Sequence, residues 1–240
     1  MTERFKDRTD AGRRLAALLA HFRGQNPIVL ALPRGGLPVA YEVAHALKLP
    51  LDVLNIRKLG VPWHEELAMG AIGTGGVRVL NNEIIMAAGI TTTTLDEVTQ
   101  LQRLELDRRE RLFRSGRPAP GLRGREVILV DDGIATGATV RAAVAVVRAQ
   151  KPARLVLAVP VAQDSIATEL ERDVDEFVCV TRPSDLYAIG VWYDHFEQLT
   201  DREVQAILAR AAGEPAAARV NAPRRAGDLD GEAKPPGAPA

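Results

Sequence analysis

Four consecutive apolar residues, Val127-Ile128-Leu129-Val130, run directly into a pair of carboxylates, Asp131-Asp132. A strand without polar alternation must be covered on both faces, which in water means a parallel sheet with helices on either side. Other segments supply its neighbours. Ile28 to Leu32 is a short apolar run ending at Pro33 and Gly35-Gly36, and Leu51 to Ile56 is another. Leu155 to Val159 and Glu176 to Val180 read as two further strands. Apolar residues at helical spacing lie between them: Leu15, Leu18, Leu19 and Phe22; Leu37, Ala40, Ala44 and Leu47; Val140, Ala143, Val144 and Val147. A helix around Ile166 and Leu170 follows, and a last one opens at Thr200 with Glu203 in capping-box position. This rhythm predicts an α/β fold with a parallel, Rossmann-like core.

Val77 to Leu80 is expected as a strand of a small excursion. Thr94 and Glu97 read as a capping box opening a long, charge-rich helix that ends near Ser115-Gly116. That helix keeps Leu101, Leu104, Leu112 and Phe113, which suits a homodimer face or a plain surface helix. From Gly213 onward Ala, Pro and Gly dominate, so residues 1–213 are expected as the domain and 214–240 as a disordered tail.

Acidic and basic residues balance at 31 each, which argues against attraction to nucleic acid or to a membrane surface. The single cysteine, Cys179, sits in an apolar run and excludes an intrachain disulfide framework. No apolar stretch reaches membrane-spanning length and no signal core opens the chain, so a cytoplasmic protein is expected.

In a parallel sheet, ligands bind beyond the carboxyl ends of the strands, where Asp131-Asp132 falls. Gly133 to Thr139 then leads into a helix N-terminus, whose free amides and dipole favour a phosphate. Gly137 permits close backbone approach, and Thr136 and Thr139 can donate hydroxyl hydrogen bonds. The adjacent carboxylates suit a ribose diol, or Mg²⁺ held by hard oxygen ligands. A Walker loop is excluded, because the chain has no Gly-Lys dipeptide.

The run Val127 to Thr139 resembles the phosphoribosyl pyrophosphate signature of the type I phosphoribosyltransferases. Further matches extend the resemblance over residues 4–211. Pro33-Arg34-Gly35-Gly36 resembles that family's pyrophosphate loop. Arg57-Lys58, followed by Leu59 to Gly70, resembles its mobile catalytic loop. The string Arg57 to Pro62, with Glu66 to Ile72, is similar to a bacterial subgroup whose acceptor is unassigned.

The resemblance implies a phosphoribosyltransferase-type core with a small C-terminal hood within 177–200. It implies transfer of the 5-phosphoribosyl group to a nitrogen acceptor, with Mg²⁺ and release of pyrophosphate. On that reading Asp131 and Asp132 hold the ribose hydroxyls, directly or through the metal, and Ala135, Thr136, Gly137, Ala138 and Thr139 hold the 5-phosphate. Arg34, Gly35 and Gly36 hold the pyrophosphate, with Arg57 or Lys58. Arg34, Lys58 and the two aspartates are the expected catalytic set. Closure of the 59–70 loop would exclude water. His64, Glu65 and Glu66 lie in that loop, as solvated residues or as groups acting on the acceptor. The pyrophosphate loop is expected to carry a cis or non-planar Arg34–Gly35 bond that turns the Gly35 and Gly36 amides toward the ligand.

Hypoxanthine-guanine enzymes of the family carry an Asp where this chain has Ala135, which counts against a 6-oxopurine; adenine enzymes carry Ala there. Tyr187, Trp192 and Tyr193 are candidates for stacking on a planar acceptor or for packing the hood. The rival to an enzyme is a binding protein of the same fold that senses phosphoribosyl pyrophosphate without turnover.

Overall fold

The computed structural model describes residues 4–114 and 117–213; the expected tail, 214–240, lies outside them. Helix α1 (Arg8–Leu18) is capped by the Asp7 side chain, which accepts from the Asp10 amide. It ends earlier than its apolar spacing suggests, leaving Leu18 half exposed while Leu19 and Phe22 turn inward. Strand β1 (Ile28–Ala31) leads to α2 (Gly36–Leu47), then β2 (Leu51–Val53), β3 (Ile56–Val61), β4 (His64–Gly73) and β5 (Val77–Leu80). Helices α3 (Asn82–Ala87) and α4 (Thr92–Arg114) follow. The remaining elements are β6 (Glu126–Val130), α5 (Ala138–Ala149), β7 (Arg154–Val161), α6 (Asp164–Leu170), β8 (Glu176–Thr181) and α7 (Asp201–Ala211).

Five strands form one sheet in the order β2-β1-β6-β7-β8, every pairing parallel. Alternate residues feed two cores. Val29, Ala31, Ile128 and Val130 face α1, α2 and α7 on one side. Ile28, Leu30, Val127 and Leu129 face α5 and α6 on the other. Burial on both faces accounts for the unbroken apolar run of β6.

Three sequence expectations change. The Leu51–Ile56 strand breaks at Leu54-Asn55, so β2 joins the main sheet and β3 starts a second one. The cap of the long helix is Thr91, whose Oγ1 accepts from the Thr94 amide at 3.1 Å. The expected mobile loop over 59–70 is a β-hairpin instead, with Lys58 opposite Ala71 and Leu59 opposite Gly70 in the antiparallel β3-β4-β5 sheet. Leu59, Val61 and Met69 are fully buried on α4 with Ile72, Leu95 and Leu106. Gly60 interrupts the apolar alternation and marks irregular pairing, which is why the strand reads as a loop.

The expected hood is also divided. Residues 176–181 are the edge strand β8, while the covering element joins the N-terminus to residues 186–196. Phe5 donates its amide to the Trp192 carbonyl and accepts from the Asp194 amide, at 2.8 and 2.9 Å. Among the described residues no helix is long and apolar enough to cross a membrane.

Candidate active site

Asp131 and Asp132 emerge from the carboxyl end of β6 directly against the start of α2. A Cβ on Gly35 would stand 2.0 Å from Asp132 Oδ2, and one on Gly36 would stand 2.8 Å from Asp131 Cα. Both glycines are therefore the condition for bringing the two loops together. Asp131 Oδ1 accepts from the Asp132 amide at 2.9 Å. Arg8 Nε donates to Asp132 Oδ2 at 2.8 Å, with each side chain only 11% exposed. The pair thus does not sit on a solvent-facing loop, as a post-strand turn would suggest. Burial, reinforced by the charge of Asp132, pushes the Asp131 carboxyl well above the usual range. Burial also raises Asp132, against the opposing pull of Arg8.

The next segment is pinned at its middle. Ile134 donates its amide to Val161 and accepts from the Gln163 amide, at 2.9 and 3.0 Å. Gly137 has φ +75°, a left-handed turn that starts α5, and a Cβ there would also meet Ile166 at 2.8 Å. Arg141 donates the first helical hydrogen bond, to the Gly137 carbonyl at 2.8 Å. The amides of Ala138, Thr139 and Val140 therefore precede any intrahelical acceptor, an arrangement that with the helix dipole suits an anion. Thr136 and Thr139 are exposed at this end, and Ala135 is half-buried against the covering element.

The cis peptide bond of the Gly35 loop lies at Pro33–Arg34, one residue before the expected position. Gly36 donates its amide to the Leu32 carbonyl at 3.0 Å, because this residue opens α2 and closes the turn behind it. Its amide is thereby committed to the fold, and its value to the site is the space it leaves for Asp131. The Arg34 guanidinium bonds the Leu199 carbonyl at 2.9 Å and pairs with Asp201 at 3.2 Å. Arg34, Gly35, Arg8 and Asp132 line a cavity of about 440 Å³.

Arg57 and Lys58 open onto a neighbouring cavity of about 590 Å³ that also reaches Pro33, Thr139 and Glu65. Arg57 Nε donates to Gln102 Oε1 at 2.8 Å. Burial and then the nearby Arg109 charge lower the Arg57 pKa. Glu105 accepts from Arg108 and Arg109, both at 2.8 Å, and those hydrogen bonds hold its carboxyl down at about 2. His64 accepts the Leu67 amide on its Nδ1 at 3.2 Å, at the start of β4, where Glu65 and Glu66 follow it.

The aromatic candidates separate. Tyr193 is 2% exposed, and its hydroxyl donates to the Asp132 carbonyl at 2.6 Å, so it supports the site from behind and presents no face to an acceptor. Burial raises its phenol above the usual range. Tyr187 is 95% exposed, outside both cavities, and Trp192 packs partly buried in the covering cluster. Phe196 borders the smaller cavity, but the Arg8 guanidinium lies 3.8 Å over its ring.

Arg8, Gln102, Glu105 and Arg109 were not legible as site residues. One signal existed for the last three: they share a face of α4 at i, i+3 and i+7. Among the described residues no group of three or more His, Cys, Asp or Glu side chains forms a metal cage.

The family described as phosphoribosyl transferase domain matches residues 2–196. A Mycobacterium tuberculosis H37Rv protein with the provisional name phosphoribosyl transferase Rv0571c is 47% identical over 232 residues, 97% of this chain and 51% of its own length. Its counterpart in strain CDC 1551 / Oshkosh matches to the same extent. The chain thus spans about half the length of these curated relatives. The crystal structure of TT1426 from Thermus thermophilus superposes with a TM-score of 0.79 at 42% identity, covering 86% of this chain and 98% of that one.

Proposed function

The chain belongs to the phosphoribosyl transferase domain family, and we propose that it transfers the 5-phosphoribosyl group of phosphoribosyl pyrophosphate to a nitrogen acceptor, in the cytoplasm. The observation that carries this reading is the interlock of Asp131-Asp132 with Gly35-Gly36 beside the amino end of α5. One small volume then offers a diol clamp, a phosphate site and the approach to a cationic pocket.

In the proposed reaction the bond from ribose C1 to the pyrophosphate oxygen breaks, and the acceptor nitrogen forms a new bond to C1. Positive charge builds on the ribose ring in the transition state. Asp131 and Asp132 lie where they can accept from the ribose hydroxyls and oppose that charge. The Ala135–Thr139 segment holds the 5-phosphate through α5 amides and the Thr136 and Thr139 hydroxyls. Arg34, Gly35, Arg57 and Lys58 face the departing pyrophosphate, and the β3–β4 hairpin shields it from water.

Mg²⁺ fits this donor set: Asp131 and Asp132 supply hard carboxylate oxygens, and such an ion commonly completes its shell from substrate phosphates and water. When bound, it would neutralise charge on the pyrophosphate. Release of pyrophosphate from phosphoribosyl pyrophosphate and Mg²⁺, assayed across a panel of nucleobases, tests the proposal; no release with any base argues against turnover. One observation favours the sensing alternative, since Arg8 already engages the Asp132 carboxylate. Binding without turnover would select that alternative.

A further inference from the structure

Two residues, Pro33 and Arg109, line both cavities of the site. Proline offers no charge, so Arg109 is the cation at the seam between the Arg34–Gly35 side and the Arg57–Lys58 side. It comes from α4, outside every loop that the family resemblance points to.

Its surroundings prepare it for an anion. Arg109 Nε is taken by Glu105 and Arg57 Nε by Gln102, both at 2.8 Å. Each guanidinium is thus pinned at one nitrogen, and neither makes a hydrogen bond through its two amino groups among the described residues. A guanidinium held in this way presents a planar fork suited to phosphate oxygens. Arg57 and Arg109 both act on Glu105, which Arg108 shares while also reaching Asp201 at 3.9 Å. Arg109 also acts repulsively on Arg57, which a multivalent anion between them would relieve.

We propose that Arg109 binds the leaving pyrophosphate jointly with Arg57, at the seam between the two cavities. This rests on the phosphoribosyl transfer proposed above. The 5-phosphate site at the start of α5 borders the same cavity through Thr139 but draws on backbone amides and hydroxyls, so Arg109 discriminates between the two ends of the same substrate.

The test is calorimetric titration of the whole chain, with Mg²⁺, using inorganic pyrophosphate and ribose 5-phosphate as separate probes. Arg109→Gln should weaken pyrophosphate by roughly ten- to hundredfold and leave ribose 5-phosphate within about twofold, the loss expected for a charge-assisted contact. Glu105→Gln removes the negative charge that Arg109 contacts, keeps an Oε1 acceptor for its Nε, and should bind pyrophosphate at least as tightly as wild type. If Arg109 mattered only as the structural partner of Glu105, the two variants would lose affinity together, and that result overturns the proposal. Unchanged pyrophosphate affinity in Arg109→Gln, or equal weakening of both probes, also overturns it. Wild-type protein that binds neither probe would remove the phosphoribosyl reading itself, whereas wild type binding both while Arg109→Gln matches it removes only the role of Arg109.

Discussion

Gly35 and Asp132 approach so closely that a single methyl group at position 35 would overlap the carboxylate, 2.0 Å from Oδ2. The site exists because two loops, after β1 and after β6, meet where one has no side chain. Gly35→Ala must displace Asp132 or the start of α2. It should lower stability by about 1–3 kcal/mol, as overpacking does, and weaken phosphoribosyl pyrophosphate binding. Thermal unfolding combined with ligand titration checks both effects.

The two aspartates differ in whether a cation partners them. Asp131 is held well above its usual pKa by burial, so the folded state binds a proton that the unfolded chain gives up. Its charge therefore leaves stability intact below the unfolded pKa of about 3.9 and reduces it as pH rises toward the folded value. Asp131→Asn should be more stable than wild type at neutral pH, with the gap closing near about pH 3, while transfer is lost. Denaturant unfolding across pH gives the answer.

Asp132 instead has a partner. Asp132→Asn leaves the Arg8 guanidinium without its anion, and Arg8→Met leaves the carboxylate without its cation. Breaking a buried ion pair from one side costs roughly 3–5 kcal/mol, an upper figure here because a lone Asp132 can take up a proton. Arg8→Met should unfold at lower denaturant than wild type at neutral pH, whereas Asp132→Asn should not, because burial raises the Asp132 carboxyl even with Arg8 beside it. An Arg8→Met midpoint equal to wild type would show that the pair contributes nothing.

Tyr193→Phe removes the hydroxyl that meets the Asp132 carbonyl. The buried acceptor left behind should cost about 1–3 kcal/mol, whereas Tyr187→Ala, at a surface position, should stay within about 0.5 kcal/mol of wild type. Comparing their unfolding midpoints separates the supporting tyrosine from the exposed one.

Leu101 and Leu104 remain 64% and 66% exposed on α4, although Leu112 and Phe113 on the same helix pack into the main core. We predict a homodimer through this exposed stretch. Sedimentation showing only monomer at high concentration would remove it, and Leu104→Glu should shift a dimer toward monomer.

What the sequence determined by itself is local. An unbroken apolar run with carboxylates at its end specifies a buried parallel strand and its functional edge, because burial on both faces leaves no room for polar alternation. The Thr200–Glu203 capping box of α7 is likewise visible, since its partners are three residues apart. The tertiary structure alone decided the hairpin of β3 and β4, because Gly60 conceals its alternation and the apolar partners that define it lie on α4. It also decided which charges belong to the site. Arg8 meets Asp132 across 124 residues, and Arg109 faces Arg57 from another element. A charged side chain in a sequence reads as solvated because water is its default environment. Only the three-dimensional path of the backbone removes that water and makes a particular arginine a partner.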